Sequence, residues 1–143
     1  MVLKNISYNN KIIKNEIDKL VGPAFSWRQR FRMKGIGSPG FKVVRASSHI
    51  EALLAVNNRR WQCHVELRPS GIILAFRSRL ETYGWIVPYR SLSILKNEDY
   101  LSLYSAQYFV KVVWEAQSIA ANKFLMKLLT LKAESSESEA IPR

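Results

Sequence analysis

The feature that most limits what this chain can become is a change of hydrophobic period near residue 115. Between Trp61 and Trp114 come short apolar segments bounded by turn residues, the first and last of them alternating apolar with other residues; beyond Glu115 apolar residues recur every three or four. The first period belongs to strands with one buried face, the second to an amphipathic helix. Trp61, Cys63, Val65 and Leu67 alternate with Gln62, His64, Glu66 and Arg68. Arg68-Pro69-Ser70-Gly71 then fits a type I turn, with Pro at its second position and Gly at its fourth. Ile72 to Phe76 returns as an apolar strand, which makes the pair a hairpin. Tyr83–Tyr89 is strand-like, with Pro88 marking an edge or a strand end. Leu92–Lys96, Tyr100–Ser105 and Tyr108–Trp114 are further strands, parted by turns at Asn97-Glu98-Asp99 and Ala106-Gln107.

From Glu115 onward Ile119, Ala120, Ala121, Phe124, Leu125, Leu128, Leu129 and Leu131 form a broad apolar helix face. Glu115 near its start and Lys132 near its end suit the helix dipole. Residues 134–143, ESSESEAIPR, are polar and are expected to be a disordered tail on a single domain spanning 1–133. At the other end, residues 9–20 place Ile13, Ile17 and Leu20 on one stripe of a short N-terminal helix that Gly22-Pro23 stops.

Between these elements the pattern is less specific. Phe25 to Lys34 alternates aromatic and basic residues. Extended as a strand, it sets Phe25, Trp27, Gln29, Phe31 and Met33 on one face and Arg28, Arg30, Arg32 and Lys34 on the other, a cationic row. Gly35, Gly37, Pro39 and Gly40 follow as a loop, and Phe41–Ala46 is a short strand. Residues 48–58 read as a short helix, because Ser48 and Glu51 have capping-box spacing and Ala52 to Ala55 favour helix; a strand is the competing reading.

The length of 143 residues, 48% of them apolar, suffices for one globular core without a staple. The one cysteine, Cys63, has no partner for an internal bridge, as is ordinary in a reducing compartment. No signal-peptide core follows the lysine-rich start and no apolar run reaches membrane-spanning length, so a cytoplasmic protein is expected, peripheral at the membrane if it meets one. The charge is unusual: +11 overall, with thirteen basic against three acidic residues in 21–96. Such a block suits an anionic partner, whether an acidic phospholipid surface, an acidic protein or a nucleic acid; a basic surface can also serve solubility alone.

Strands that end in one long amphipathic helix have few arrangements open to them. One is a strongly bent antiparallel sheet, or partly open β-barrel, whose open end the helix plugs. Two stretches resemble bacterial pleckstrin-homology-like (PH-like) domains: the hairpin Leu67-Arg68-Pro69-Ser70-Gly71-Ile72-Ile73-Leu74, and Trp85-Ile86-Val87-Pro88-Tyr89-Arg90-Ser91-Leu92. The resemblance covers residues 60–133 and implies an α+β fold with a non-enzymatic role in interaction. It departs from the eukaryotic pattern in having no Trp within the C-terminal helix; Trp114 lies just before it.

Catalysis finds no constellation. Cys63 and His64 are adjacent on a strand and point to opposite faces, so they cannot act as nucleophile and base together. His49, His64 and Cys63 have no zinc-ligand spacing, and Gly35-Ile36-Gly37-Ser38-Pro39-Gly40 lacks the GK[ST] ending of a phosphate loop. No metal and no cofactor are expected. The candidate anion-binding residues are Arg28, Arg30, Arg32, Lys34, Arg59, Arg60, Arg77 and Arg79, whose guanidinium groups can hold phosphate oxygens in pairs. A single-stranded nucleic acid held between arginines and Trp27, Phe31 or Trp61 is the alternative. The extended reading of 25–34 argues against it, since those aromatics would then face the core.

Overall fold

A computed structural model describes residues 2–57 and 61–140, with side chains to residue 136. Eight strands make one antiparallel sheet: β1 (Val2–Asn5), β2 (Phe41–Ala46), β3 (Gln62–Leu67), β4 (Gly71–Ser78), β5 (Glu81–Pro88), β6 (Leu92–Lys96), β7 (Tyr100–Ser105) and β8 (Tyr108–Val113). Their order is β1-β5-β4-β3-β2-β8-β7-β6. The fold is α+β, and β1 and β6 remain the outer strands, so the sheet is not closed into a barrel.

β2 joins two arms. Its start pairs with β3 (Phe41 with Cys63) and its end with β8 (Val43 with Val112, Ala46 with Val110), with a register shift between Val43 and Arg45. A bulge of this kind bends a strand and sharpens its twist, which lets one strand serve both arms.

The hairpin of β3 and β4 closes where the sequence predicts, with the Arg68 amide donating to the Gly71 carbonyl at 2.9 Å. Gly71 is needed there for space. A β-carbon at that position would press into the Val21 side chain and into two backbone groups, the Val87 carbonyl and the Pro88 Cα. Backbone cannot rotate away, so Gly71→Ala is expected to destabilise by roughly 1–3 kcal/mol through overpacking. A lower urea midpoint at unchanged denaturant slope is the expected reading.

Most strands bury one face, but β4 is buried on both. Ile72, Leu74 and Phe76 enter the main core, while Ile73 faces a second cluster with Ile86, Ile17 and Val21. That is why Ile72 to Phe76 is continuously apolar rather than alternating. The second cluster is covered by helix α1 (Lys11–Val21), whose first amides at Ile12 and Ile13 donate to the Asn10 side chain. Arg68 ties α1 to the hairpin, donating to Glu66 Oε2 at 2.5 Å, Asp18 Oδ1 at 3.2 Å and the Gly22 carbonyl at 3.0 Å.

Three expectations are corrected. Residues 25–34 are not a strand: α2 (Trp27–Met33) is a helix in which no residue is buried. A capping box makes it so. Ser26 Oγ accepts from the Gln29 amide at 3.3 Å, and Gln29 Oε1 accepts from the Ser26 amide at 2.9 Å. At the other end Lys34 adopts a left-handed conformation (φ 60°), and the Gly35 amide returns to the Arg30 carbonyl at 2.9 Å. Next, α3 (Ser48–Ala55) is the helix read from the sequence, but its N-cap is Ser47 and it has no capping box; Glu51 reaches back instead to the Ala46 amide at 2.8 Å. Finally, the C-terminal helix α4 (Ile119–Ala140) starts later than Glu115 and continues through residues 134–140, where a disordered tail was expected. Once packing has paid the cost of nucleation, each further turn adds a hydrogen bond per residue, and Ala133, Glu134 and Glu137 are good helix formers. Residues 141–143 of that tail lie outside the described residues.

α4 lays Ala121, Phe124, Leu125 and Leu128 on the inner face of the sheet, where α3 adds Ile50 and Leu54. Ile119 and Leu129 remain exposed, so the buried stripe is narrower than the apolar face in the sequence.

Candidate anion-binding surface

Phe41, Cys63 and Phe76 lie in register across β2, β3 and β4 and point into the core. Side chains alternate along a strand, so the neighbouring positions Lys42, Gln62 and Arg77 face outward and are exposed. His64, two residues beyond Gln62, shares that face. Gln62, His64 and Arg77 border a cleft of about 450 Å³ that Gly40, Asn57, Cys63, Ala75, Phe76 and Arg79 also line; Lys42 lies outside it. No carboxylate lines it among the described residues.

The backbone that carries the two arginines is held from α3. The Asn57 side chain donates to the Arg77 carbonyl and accepts from the Arg79 amide at 2.9 Å. Ser78 Oγ donates to the Leu53 carbonyl at 2.7 Å. These bonds fix the β4–β5 turn, in which Arg79 takes a left-handed conformation (φ 57°). Neither arginine has a carboxylate partner among the described residues, where the ion pairs are Lys4–Glu16 and those of Arg68 with Asp18 and Glu66. Two guanidinium groups beside an uncharged amide and an imidazole therefore present donors without internal acceptors, the arrangement a phosphate or carboxylate needs.

The Cys63 thiol, on the core side of β3, is chemically quiet. Burial pushes the Cys63 thiol up to about 12, so it stays protonated at neutral pH and is no nucleophile. Among the described residues no three His, Cys, Asp or Glu side chains gather as a metal site would require.

The sequence-derived arginines divide. Arg77 and Arg79 come together at the cleft. Arg59 and Arg60 lie outside the described residues. Arg28, Arg30, Arg32 and Lys34 line no part of the cleft and do not form a row, because on a helix Arg30 falls roughly 200° around from Arg28. Their helix is nonetheless firmly carried: Phe25 is buried just before it, and Met33 and Ile36 pack on the core just after. Lys127 of α4 donates to the Lys34 and Gly35 carbonyls, each at 3.1 Å. Trp27 and Phe31, which an extended chain would have buried, are 74% and 84% exposed.

Sequence reasoning missed Asn57 and Gln62. Asn57 carries no signal in one dimension, and Gln62 was visible only as a polar member of an alternating strand. No model of a protein family matches this chain, and no curated protein or solved structure matches it either.

Proposed function

We propose that this chain is a non-enzymatic, PH-like interaction module that meets an acidic phospholipid surface through its basic face. The strand order supports the PH-like reading. β2 to β5 form a four-stranded meander, β6 to β8 a three-stranded one, β2 and β8 join them, and α4 lies on the inner face. β1, α1, α2 and α3 are additions to that plan. Trp85, Val87, Tyr89 and Leu92, from the stretch that resembles the family, are all buried in the main core, and the Tyr89 hydroxyl donates to the Arg68 carbonyl at 2.7 Å.

The observation that carries the functional reading is the cleft, where Arg77 and Arg79 stand unpaired on an anchored turn with no acid among the described lining residues. Each basic residue close to an anionic leaflet contributes about 1 kcal/mol. Replacing both, Arg77→Ala with Arg79→Ala, is thus expected to lower partitioning onto phosphatidylserine-containing vesicles by roughly 30-fold at near-physiological salt. Co-sedimentation reads it, with neutral vesicles as the reference. Equal binding to acidic and neutral vesicles would remove the reading and leave an acidic protein as the partner to seek.

A single-stranded nucleic acid is the second reading, favoured by the exposure of Trp27 and Phe31, which offers stacking faces beside arginines. A steep fall of oligonucleotide affinity with salt, in a protein that ignores vesicles, would select it.

A further inference from the structure

α2 is unusual as a helix. It has seven residues, buries none of them, and is capped at both ends. Isolated helices of that length are marginal in water, and an exposed one is expected to be polar all round. This one instead sets Trp27 and Phe31 four residues apart, which puts them roughly 40° apart on a single ridge. Met33 faces the opposite way and packs on the core, so the ridge points away from the protein. Arg28 and Arg30 fall roughly 80° to either side of it, and Lys34 closes the last turn. From Ser26 to Lys34 there are four cations and no acid.

We propose that α2 is a membrane-interfacial anchor: Trp27 and Phe31 insert at the headgroup–acyl boundary of an anionic bilayer while Arg28, Arg30, Arg32 and Lys34 engage the lipid phosphates. The inference rests on the lipid-facing reading above and adds a second, apolar point of contact remote in sequence from the cleft. Three features fit a bilayer together. The Trp27 indole, apolar with a polar N–H edge, suits the boundary between water and hydrocarbon, and the Phe31 ring adds apolar area beside it. Arginine stems lie along an apolar surface while their charged heads stay at the phosphates, and the Arg28 guanidinium already sits 5.5 Å from the centre of the Trp27 ring. The depth required is small, about 5–10 Å, as for other helices that lie in the interface plane. A nucleic acid fits less well, because stacking platforms line a basic groove along which a strand runs, whereas Trp27 and Phe31 form a protruding ridge on a helix with no buried residue.

The test uses the full chain and vesicles of phosphatidylcholine and phosphatidylserine, with and without bromine on the acyl chains. Trp27 is exposed, while Trp85 and Trp114 are buried and Trp61 is half-buried, so bromine should quench Trp27 first. The expected result is quenching in the wild type that is lost in Trp27→Phe, although that variant still sediments. Trp27→Ala with Phe31→Ala is expected to lower partitioning by at least tenfold, on the order set by the apolar area it withdraws, with unchanged thermal stability because neither ring is part of the core. Sedimentation with anionic vesicles but no bromine quenching overturns the anchor and leaves the cleft reading standing. Failure to sediment with any anionic vesicle overturns both. Quenching of Trp27 by a single-stranded oligonucleotide, in a protein that does not sediment with vesicles, assigns the ridge to base stacking instead and likewise overturns the anchor.

Discussion

Arg28→Glu together with Arg32→Glu is expected to take this chain off anionic vesicles, lowering the partition coefficient by about 1000-fold at moderate ionic strength. Each substitution withdraws an attraction of about 1 kcal/mol and replaces it with a repulsion of similar size, so the pair shifts binding by about 4 kcal/mol. The choice of these two follows from the structure. Arg28 and Arg32 are exposed, sit one turn apart and make no hydrogen bond to the rest of the fold among the described residues. Arg30 is different: its Nε donates to the Phe25 carbonyl at 3.0 Å, and reversing it would loosen the helix as well as the charge. The effect should shrink as salt is raised, because the Debye length contracts to about 3 Å at 1 M. A double variant that sediments like the wild type would remove α2 from the binding face.

Phe124→Ala is expected to cost about 3–5 kcal/mol of folding stability, the range for deleting a fully buried aromatic ring. Phe124 meets Phe41 edge-on at 6.1 Å between ring centres, and Phe41 stacks in turn near Trp114 at 6.5 Å. The three rings come from α4, the first residue of β2, and the residue just after β8. The substitution therefore strikes the place where the helix seals the junction of the two arms. Domains of this size commonly have only about 5–15 kcal/mol in hand, so the variant is expected to unfold at a much lower urea concentration. Loss of less than about 1 kcal/mol would mean that α4 contributes little to the core.

The strands from Trp61 to Val113 were legible because β3 and β8 declare a buried face by alternation, β4 is a short apolar run, and turn residues separate most of the segments. Residues 68–71 do join β3 to β4, and Tyr108, Val110 and Val112 do line one side of β8, with Trp114 following inward. α2 misled for a definite reason. Its alternation of aromatic and basic residues has the right period for a strand, yet Trp27 and Phe31 face solvent and only Phe25 and Met33, at its ends, reach the core, so no alternating face is buried to set the period. The better signal was Ser26 with Gln29 three residues later, a capping box that fixes the backbone locally. β1 has only four residues, and its pairing with β5 through Leu3 and Trp85 depends on contacts far away in sequence. The cleft was half legible. Arg77 and Arg79 stand out as a pair, but Gln62 joins them only through strand register, and Asn57 acts through its grip on the turn.

The way β2 serves both arms has a consequence for how the chain comes off the ribosome. β3, the partner of the first half of β2, is the next strand in the chain, but the partner of the other half is β8, the last one, since Val43 pairs with Val112. While β5, β6 and β7 are being synthesised, that half of β2 is an open edge with Val43 and Ala46 uncovered, a template for pairing with other chains. Lys42 and Arg45 flank the valines there, and charges on an exposed edge discourage such pairing. Lys42 and Arg45 can thus guard that edge of the nascent chain.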